Sequence, residues 1–251
     1  MYKLWNVLGE MKNLKWTELS HPLDNTSPYW SGIPEGSVSL GDVLFDWGNP
    51  MLECQIQSFR FPGQFGTHID FPAHFVKGAP YADSFSCRDG VFPLCVIDIT
   101  AKVAADVHYA VTVEDIKAYE AQYGEIPEGA FVALRTDWSR FWPDMNAMSG
   151  IAEDGSENFP GWSLDALKYI YEVRHAAANG HETLDTDASA ECAKAGDLAC
   201  ERYVLASGKI QVEVLCNLDK VPAAGAIAVV SWPNFVGANG LPARVFAVSE
   251  E

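Results

Sequence analysis

The stretch Gln64-Phe-Gly-Thr-His68-Ile-Asp70-Phe-Pro-Ala-His74-Phe concentrates side chains able to bind a metal ion or move a proton: an amide, two imidazoles and a carboxylate, interleaved with apolar residues. His68 and Asp70 are two apart, so in an extended segment both lie on one side with Cα atoms about 6 to 7 Å apart. From there an imidazole nitrogen and a carboxylate oxygen can converge on one ion. Gln64 and His74 share that parity, but a straight strand from 64 to 74 would span about 33 Å. Both join the pair only if the chain bends, and Gly66 and Pro72 supply the bends. Taken alone, H-x-D is a weak motif that a satisfied core histidine and a turn-capping aspartate would also produce.

Other chemistry has less support. His181-Glu182 followed by Asp185 and Asp187 is not H-E-x-x-H, and a loop between strand and helix carries such turn-forming acids, so these residues are expected to shape a pocket without ligating. Ser139 and Ser231 lie in no G-x-S-x-G elbow. Gly237-Ala-Asn-Gly240 lacks the lysine of a phosphate loop and the spacing of a dinucleotide fingerprint.

The elements that must position these residues alternate. Leu94 to Thr100 and Ala130 to Arg135 read as short apolar strands. Thr112 to Gly124 reads as a helix opened by a Thr112/Asp115 capping box, with Ile116, Tyr119 and Tyr123 on one face. Ser163 caps a second helix through Leu164, Leu167 and Tyr171. Pro143 to Gly161 is too long and polar for an idle connector and suits a lid or binding loop. Lys209 to Cys216, Ala226 to Ser231 and Arg244 to Val248 read as strands of a mixed sheet. In the first of these, Ile210, Val212 and Val214 face one way and Gln211 and Glu213 the other, toward either solvent or a site.

A 251-residue chain that is 48% hydrophobic can bury a sizeable core, and no linker or repeat divides it, so one domain over 1–251 is expected, with 1–16 as an N-terminal arm. Its 17 basic residues against 34 acidic ones give a formal charge of -17, which repels phosphate backbones and anionic bilayers and excludes nucleic acid and membrane as partners. Lys3, Glu10, Lys12 and Lys15 break the apolar runs of the arm before any could serve as a signal core or span. The six scattered cysteines form no C-x-x-C pair and suit free thiols in a reducing compartment. These features predict a soluble, cytoplasmic protein.

GTHIDFPAHF resembles the signature H-x-G-T-H-x-D-x-P-x-H of the cyclase family of metal-dependent hydrolases, with its kynurenine formamidase-like, isatin hydrolase-like and, more distantly, trans-dienelactone hydrolase-like members. Glu18-Leu-Ser-His-Pro, Phe159-Pro-Gly-Trp-Ser163, Thr183-Leu-Asp-Thr-Asp187 and Asn217-Leu-Asp-Lys-Val-Pro222 look like further family segments, so the resemblance covers most of the chain. It implies an α/β fold with a mixed, partly barrel-like β-sheet flanked by helices, of the swivelling β/β/α type. It also implies a homo-oligomer acting on a small-molecule substrate.

Gln64 stands where formamidase-like members have the first histidine of the signature. Glu201 stands near the place of a second-metal histidine, and Glu213 matches a later family glutamate. These departures favour one divalent ion, Zn or Mn, held by His68, Asp70 and the amide oxygen of Gln64. By the same resemblance His74 is the general base, a role worth roughly 10² to 10⁴ in rate. Gln211, Glu213, Thr67, Phe71, His21 and Trp30 would surround the ligands or the pocket. Aromatics such as Tyr29, Phe75 and Trp232 would stack on a flat substrate or pack in the core. The implied reaction is opening of a cyclic amide of the isatin kind, with a lactone or N-formyl amide as neighbouring choices. A metal-dependent small-molecule binding protein on the same fold is the alternative.

Overall fold

The computed structural model describes residues 2–48, 50–51 and 53–250. Its centre is four parallel strands in the order Val91–Asp98, Phe131–Arg135, Ala178–His181 and Ile210–Glu213. The run Phe131 to Leu134 is apolar at every position because a parallel strand covered on both faces buries its side chains, and only the terminal Arg135 reaches outward. Antiparallel strands extend this centre on both sides. Ala226–Ser231, Arg244–Ser249 and Lys15–Glu18 follow beyond Val91–Asp98, and His68–Asp70 and Gly240–Pro242 follow beyond Ile210–Glu213.

Gly240–Pro242 and Arg244–Ser249 lie toward opposite ends of this nine-stranded order yet are one residue apart in the chain, so the sheet must curl. The Ala243 N–H donates to the Thr67 carbonyl, and Leu19 donates to Val245 while its own carbonyl accepts from Cys216, which tie the curled ends. Inside the curl Ile69, Phe71, Leu94, Phe131, Val212 and Val245 form one core, each worth about 1.5 to 3 kcal/mol on burial. The alternate residues Val132 and Leu134 face outward into a second core against Ile116, Leu167, Ile170 and Val204 of the covering helices.

The capping box at Thr112 and Asp115 opens helix Val113–Tyr123, and Gly124 ends it at φ 95. Ile116 and Tyr119 are buried as expected, while Tyr123 is exposed and leans on the Tyr119 ring at 5.1 Å. The strand expected to run from Leu94 to Thr100 begins at Val91 and ends at Asp98, because Asp98 accepts from the Thr100 N–H and hydroxyl and helix Thr100–Ala105 starts there. Ser163 caps Leu164–Lys168, which widens into a π turn over Tyr169–Val173. The strand expected through Cys216 stops at Glu213, since Val214 adopts φ 57 and donates its N–H to Thr183. Within 143–161 the structure forms the short helix Met145–Ser149.

The arm carries helix Lys3–Lys12, none of whose residues is buried. A hairpin of Ser39–Phe45 and Ile56–Arg60 stands outside the main sheet. Among the described residues, no helix is long and apolar enough to cross a membrane.

Gly180 shows how closely the inner core is packed: a Cβ there would lie 2.5 Å from the Phe131 ring and 2.9 Å from Leu215. Gly180→Ala is expected to destabilise the fold by about 1 to 3 kcal/mol. Adding Phe131→Leu should recover part of that loss, read as a non-additive double-mutant cycle in denaturant unfolding.

Candidate metal centre and active site

The site is assembled by strand register. His68–Asp70 runs antiparallel to Ile210–Glu213 with Asp70 opposite Gln211 and His68 opposite Glu213. Side chains two apart share a face, so all four converge there, while Ile69 and Val212 between them enter the inner core. Gln211 and Glu213 are buried, so the open face of their strand does not meet solvent.

His68 is fixed by its Nδ1, which donates to the Gly66 carbonyl at 2.8 Å and so turns Nε2 toward the carboxylates. Nε2 is buried and, among the described residues, has no hydrogen-bond partner. It stands 3.3 Å from a Glu213 oxygen and 3.5 Å from Asp70 Oδ2. His68, Asp70 and Glu213 thus bring one donor atom each within 4.8 Å of one another, a grouping that suits a metal ion, and Asp70, His74 and Glu201 form a second such group that shares Asp70.

Gln211 lies between the groups. Its Nε2 is 3.0 Å from Glu201 Oε1, 3.0 Å from Glu213 Oε1 and 3.3 Å from Asp70 Oδ2, while its Oε1 accepts from the Thr186 hydroxyl. Gln64 reaches the cluster after the chain bends at Gly66, which has φ 58, and its Nε2 donates to Asp70 Oδ1 at 2.9 Å. The amide nitrogen of Gln64, where the sequence led us to expect an oxygen ligand, is therefore what faces Asp70. Gly240, opposite Asp70 on the other neighbouring strand, leaves the room for this contact: a Cβ at 240 would lie 2.0 Å from the Gln64 nitrogen.

His74 ends the short turn Pro72–His74 and is partly exposed, with Nε2 3.8 Å from Glu201 Oε1. Glu201 belongs to helix Ala199–Ala206, whose first N–H groups, those of Cys200 and Glu201, donate to the two oxygens of Asp187. A carboxylate at a helix N-terminus is favourable, and this one anchors the helix that carries Glu201. His181 is fully buried with Nε2 3.5 Å from Glu213, and its Nδ1 is held by Thr183.

No ion pair among the described residues brings a Lys or Arg to Asp70, Glu201 or Glu213. Their proton affinities separate accordingly. Burial and the charges of Glu213 and Asp70 push Glu201 well above the usual carboxylate range. Burial, then the charge of Glu213, lifts nearby Asp185 to about 8. Burial would raise Asp70 too, but the His68 imidazole overrides it and holds the group at about 2.

The remaining expected residues are placed around this centre. Thr67 is buried, donates to the Val214 carbonyl at 2.6 Å and accepts from the His21 N–H, so it ties the His68 strand to the Glu213 strand. Phe71 is buried in the inner core against Phe85 and Trp232. His21 stacks on Trp142 at 4.3 Å with its Nε2 buried and unpartnered, and burial lowers its pKa to about 4. Trp30 is exposed and lies over Gly32.

Sequence reasoning took His181, Asp185 and Asp187 as shaping a pocket and Glu201 as a departure from the two-metal pattern; the structure places Glu201 3.8 Å from His74 and His181 3.5 Å from Glu213. The available signal for Glu201 was the i, i+4 pair Cys200 and Val204, which buries one face of its short helix. Trp142 gave no signal, because its contact with His21 spans two distant segments.

The putative cyclase family model matches residues 17–188. The isatin hydrolase of Roseibium aggregatum is 32% identical over 187 residues, covering 73% of this chain and 70% of that relative. Isatin hydrolase A from Labrenzia aggregata, solved bound to benzyl benzoate, is similar across 100% of both chains with TM-score 0.88 and 25% identity. Isatin hydrolase A from Ralstonia solanacearum gives TM-score 0.85 and 27% identity over 100% of this chain and 98% of its own. Paired with a buried imidazole and carboxylate cluster that, among the described residues, no Lys or Arg pairs with, these similarities establish that the chain belongs to the cyclase family of metal-dependent hydrolases.

Proposed function

We propose that this single-domain protein opens the cyclic amide of a small, flat, isatin-like molecule, using one divalent ion, Zn or Mn, and His74 as the base. The observation that carries this reading is the buried, unpartnered Nε2 of His68 facing two carboxylates. Such a set fits a hard or borderline cation and leaves its negative charge unbalanced without one. The cyclic-amide substrate is supported by the relative named isatin hydrolase. A lactone or N-formyl amide offers the same carbonyl, but Gln64 and Glu201 depart from the formamidase pattern.

His68, Asp70 and Glu213 would hold the ion, and Gln64 and Gln211 would orient Asp70 by their amide groups. A bound divalent ion lowers the pKa of a water molecule and polarises a carbonyl. His74, reachable from solvent and set beside Glu201, accepts the proton of the attacking water. As the new C–O bond forms and the ring C–N bond breaks, His74 returns that proton to the leaving nitrogen. The His21–Trp142 stack offers a planar wall for an aromatic ring. Six free cysteines suit the cytoplasm, and the family resemblance favours a homo-oligomer.

Elemental analysis of untagged protein is expected to find about one equivalent of Zn or Mn, lost in Asp70→Ala. No metal in wild type overturns the reading; two equivalents place a second ion at Asp70, His74 and Glu201 and make His74 a ligand. His74→Ala should keep the metal and lower kcat on isatin-like lactams by roughly 10² to 10⁴. Metal-loaded wild type that binds lactams, lactones and formanilides but turns none over would instead identify a binding protein.

A further inference from the structure

Outside the metal cluster the fold buries the carboxylate of Glu182, which is 1% exposed. Among the described residues no ion pair involves it. Its oxygens instead collect three donors from one turn. Oε2 accepts from the Thr136 N–H at 2.7 Å and the Thr136 hydroxyl at 3.0 Å, and Oε1 accepts from the Ser139 hydroxyl at 2.8 Å. A carboxylate suits such a set because it only accepts and has lone pairs on both oxygens. The ladder between Phe131–Arg135 and Ala178–His181 ends with Leu134 opposite His181, so Glu182 takes hold of the chain just beyond the last backbone pair. The turn it holds is tightly wound. Asp137 has φ 57, with its carboxylate fixed by two bonds from Arg135, and the Trp138 N–H donates to the Thr136 hydroxyl. A non-glycine residue at such a φ persists only where its surroundings over-determine it.

Trp142 leaves this turn. Its N–H donates to the Ser139 carbonyl at 3.2 Å, so the residue whose hydroxyl Glu182 binds also anchors the Trp142 backbone. The Trp142 ring lies 4.3 Å from the His21 ring with 13° between the planes. It also lies over the bend at Gly66, where a Cβ would be 3.3 Å away. His21 in turn donates its N–H to Thr67, the neighbour of His68. One contact path thus runs from Glu182 through Ser139 and Trp142 to the segment that carries His68 and Asp70.

We propose that Glu182 is a positioning residue for the substrate ring: by gathering Thr136 and Ser139 onto one carboxylate, it fixes the turn from which Trp142 reaches His21. The inference rests on the lactam hydrolase reading, in which the His21–Trp142 stack is the wall for a flat ring. Geometry must be separated from charge, because Glu182 adjoins His181, which faces Glu213. Glu182→Ala and Glu182→Gln remove the same charge. Only glutamine keeps an oxygen for Thr136 and an amide N–H that can donate to the Ser139 oxygen.

The test uses metal-loaded full-length protein, with isatin as the probe and far-UV circular dichroism and metal content as controls. Glu182→Ala should raise KM about tenfold while kcat falls less than about threefold, and Glu182→Gln should recover most of that loss. Near-UV circular dichroism supplies a readout that needs no turnover, the Trp142 signal being the difference between wild type and Trp142→Phe. It should be lost in Glu182→Ala and retained in Glu182→Gln. Should Glu182→Ala not fold, Ser139→Ala decides, since it removes one donor at a half-buried position and should raise KM about threefold. An unchanged KM and Trp142 signal in the folded variant, a glutamine variant as impaired as the alanine one, or a loss confined to kcat would each overturn the positioning role. Wild type that leaves isatin intact would count against the hydrolase reading, while the Trp142 signal would still decide for or against Glu182.

Discussion

The antiparallel register of two short strands governs the rest of the molecule's chemistry. Asp70 opposite Gln211 and His68 opposite Glu213 put two carboxylates, an imidazole and an amide on one buried face. A slip by one residue would send all four into the inner core and turn Ile69 and Val212 outward. Ile69 and Val212 therefore enforce the register, because their burial in the curl is satisfied by only one pairing. The Thr67 hydroxyl, bound to the Val214 carbonyl, pins the same alignment one residue beyond the pair.

Holding carboxylates in a face without a nearby lysine or arginine has a large desolvation penalty. The fold meets it with dipoles. Gln211 offers its amide group to three acids, Gln64 donates to Asp70, and two helix N–H groups serve Asp187. Such neutral donors reduce the repulsion without cancelling the charge, which is the condition in which a cation binds strongly. The Nδ1 contact of His68 to the Gly66 carbonyl orients the ring in the same sense, since a metal-binding imidazole is commonly fixed through its other nitrogen.

Much of this was legible in the sequence where the signal is local. The parity of His68 and Asp70, the bends at Gly66 and Pro72, the capping box at Thr112 and the alternation of Gln211 and Glu213 each depend on a few adjacent residues, and the structure forms them. What escaped depends on long-range contacts. Val214 reads as a strand residue until its N–H is claimed by Thr183 from another loop. Glu201 sits in a helix of eight residues whose N-terminal partner, Asp187, lies in a different loop, so no local capping residue announced it. The amide of Gln64 shows a further limit. Residue type gave both a donor and an acceptor, and only the neighbouring carboxylate, which cannot donate, decides which end faces Asp70.

The grip of Asp187 on Cys200 and Glu201 makes those two backbone amides reporters of the site's integrity. They are held by a side chain from a separate loop, so their exchange with solvent deuterium requires the loop and helix to part or open together. That same opening withdraws Glu201 from Gln211 and His74. Exchange at these two amides thus reports the motions that part Glu201 from Gln211 and His74.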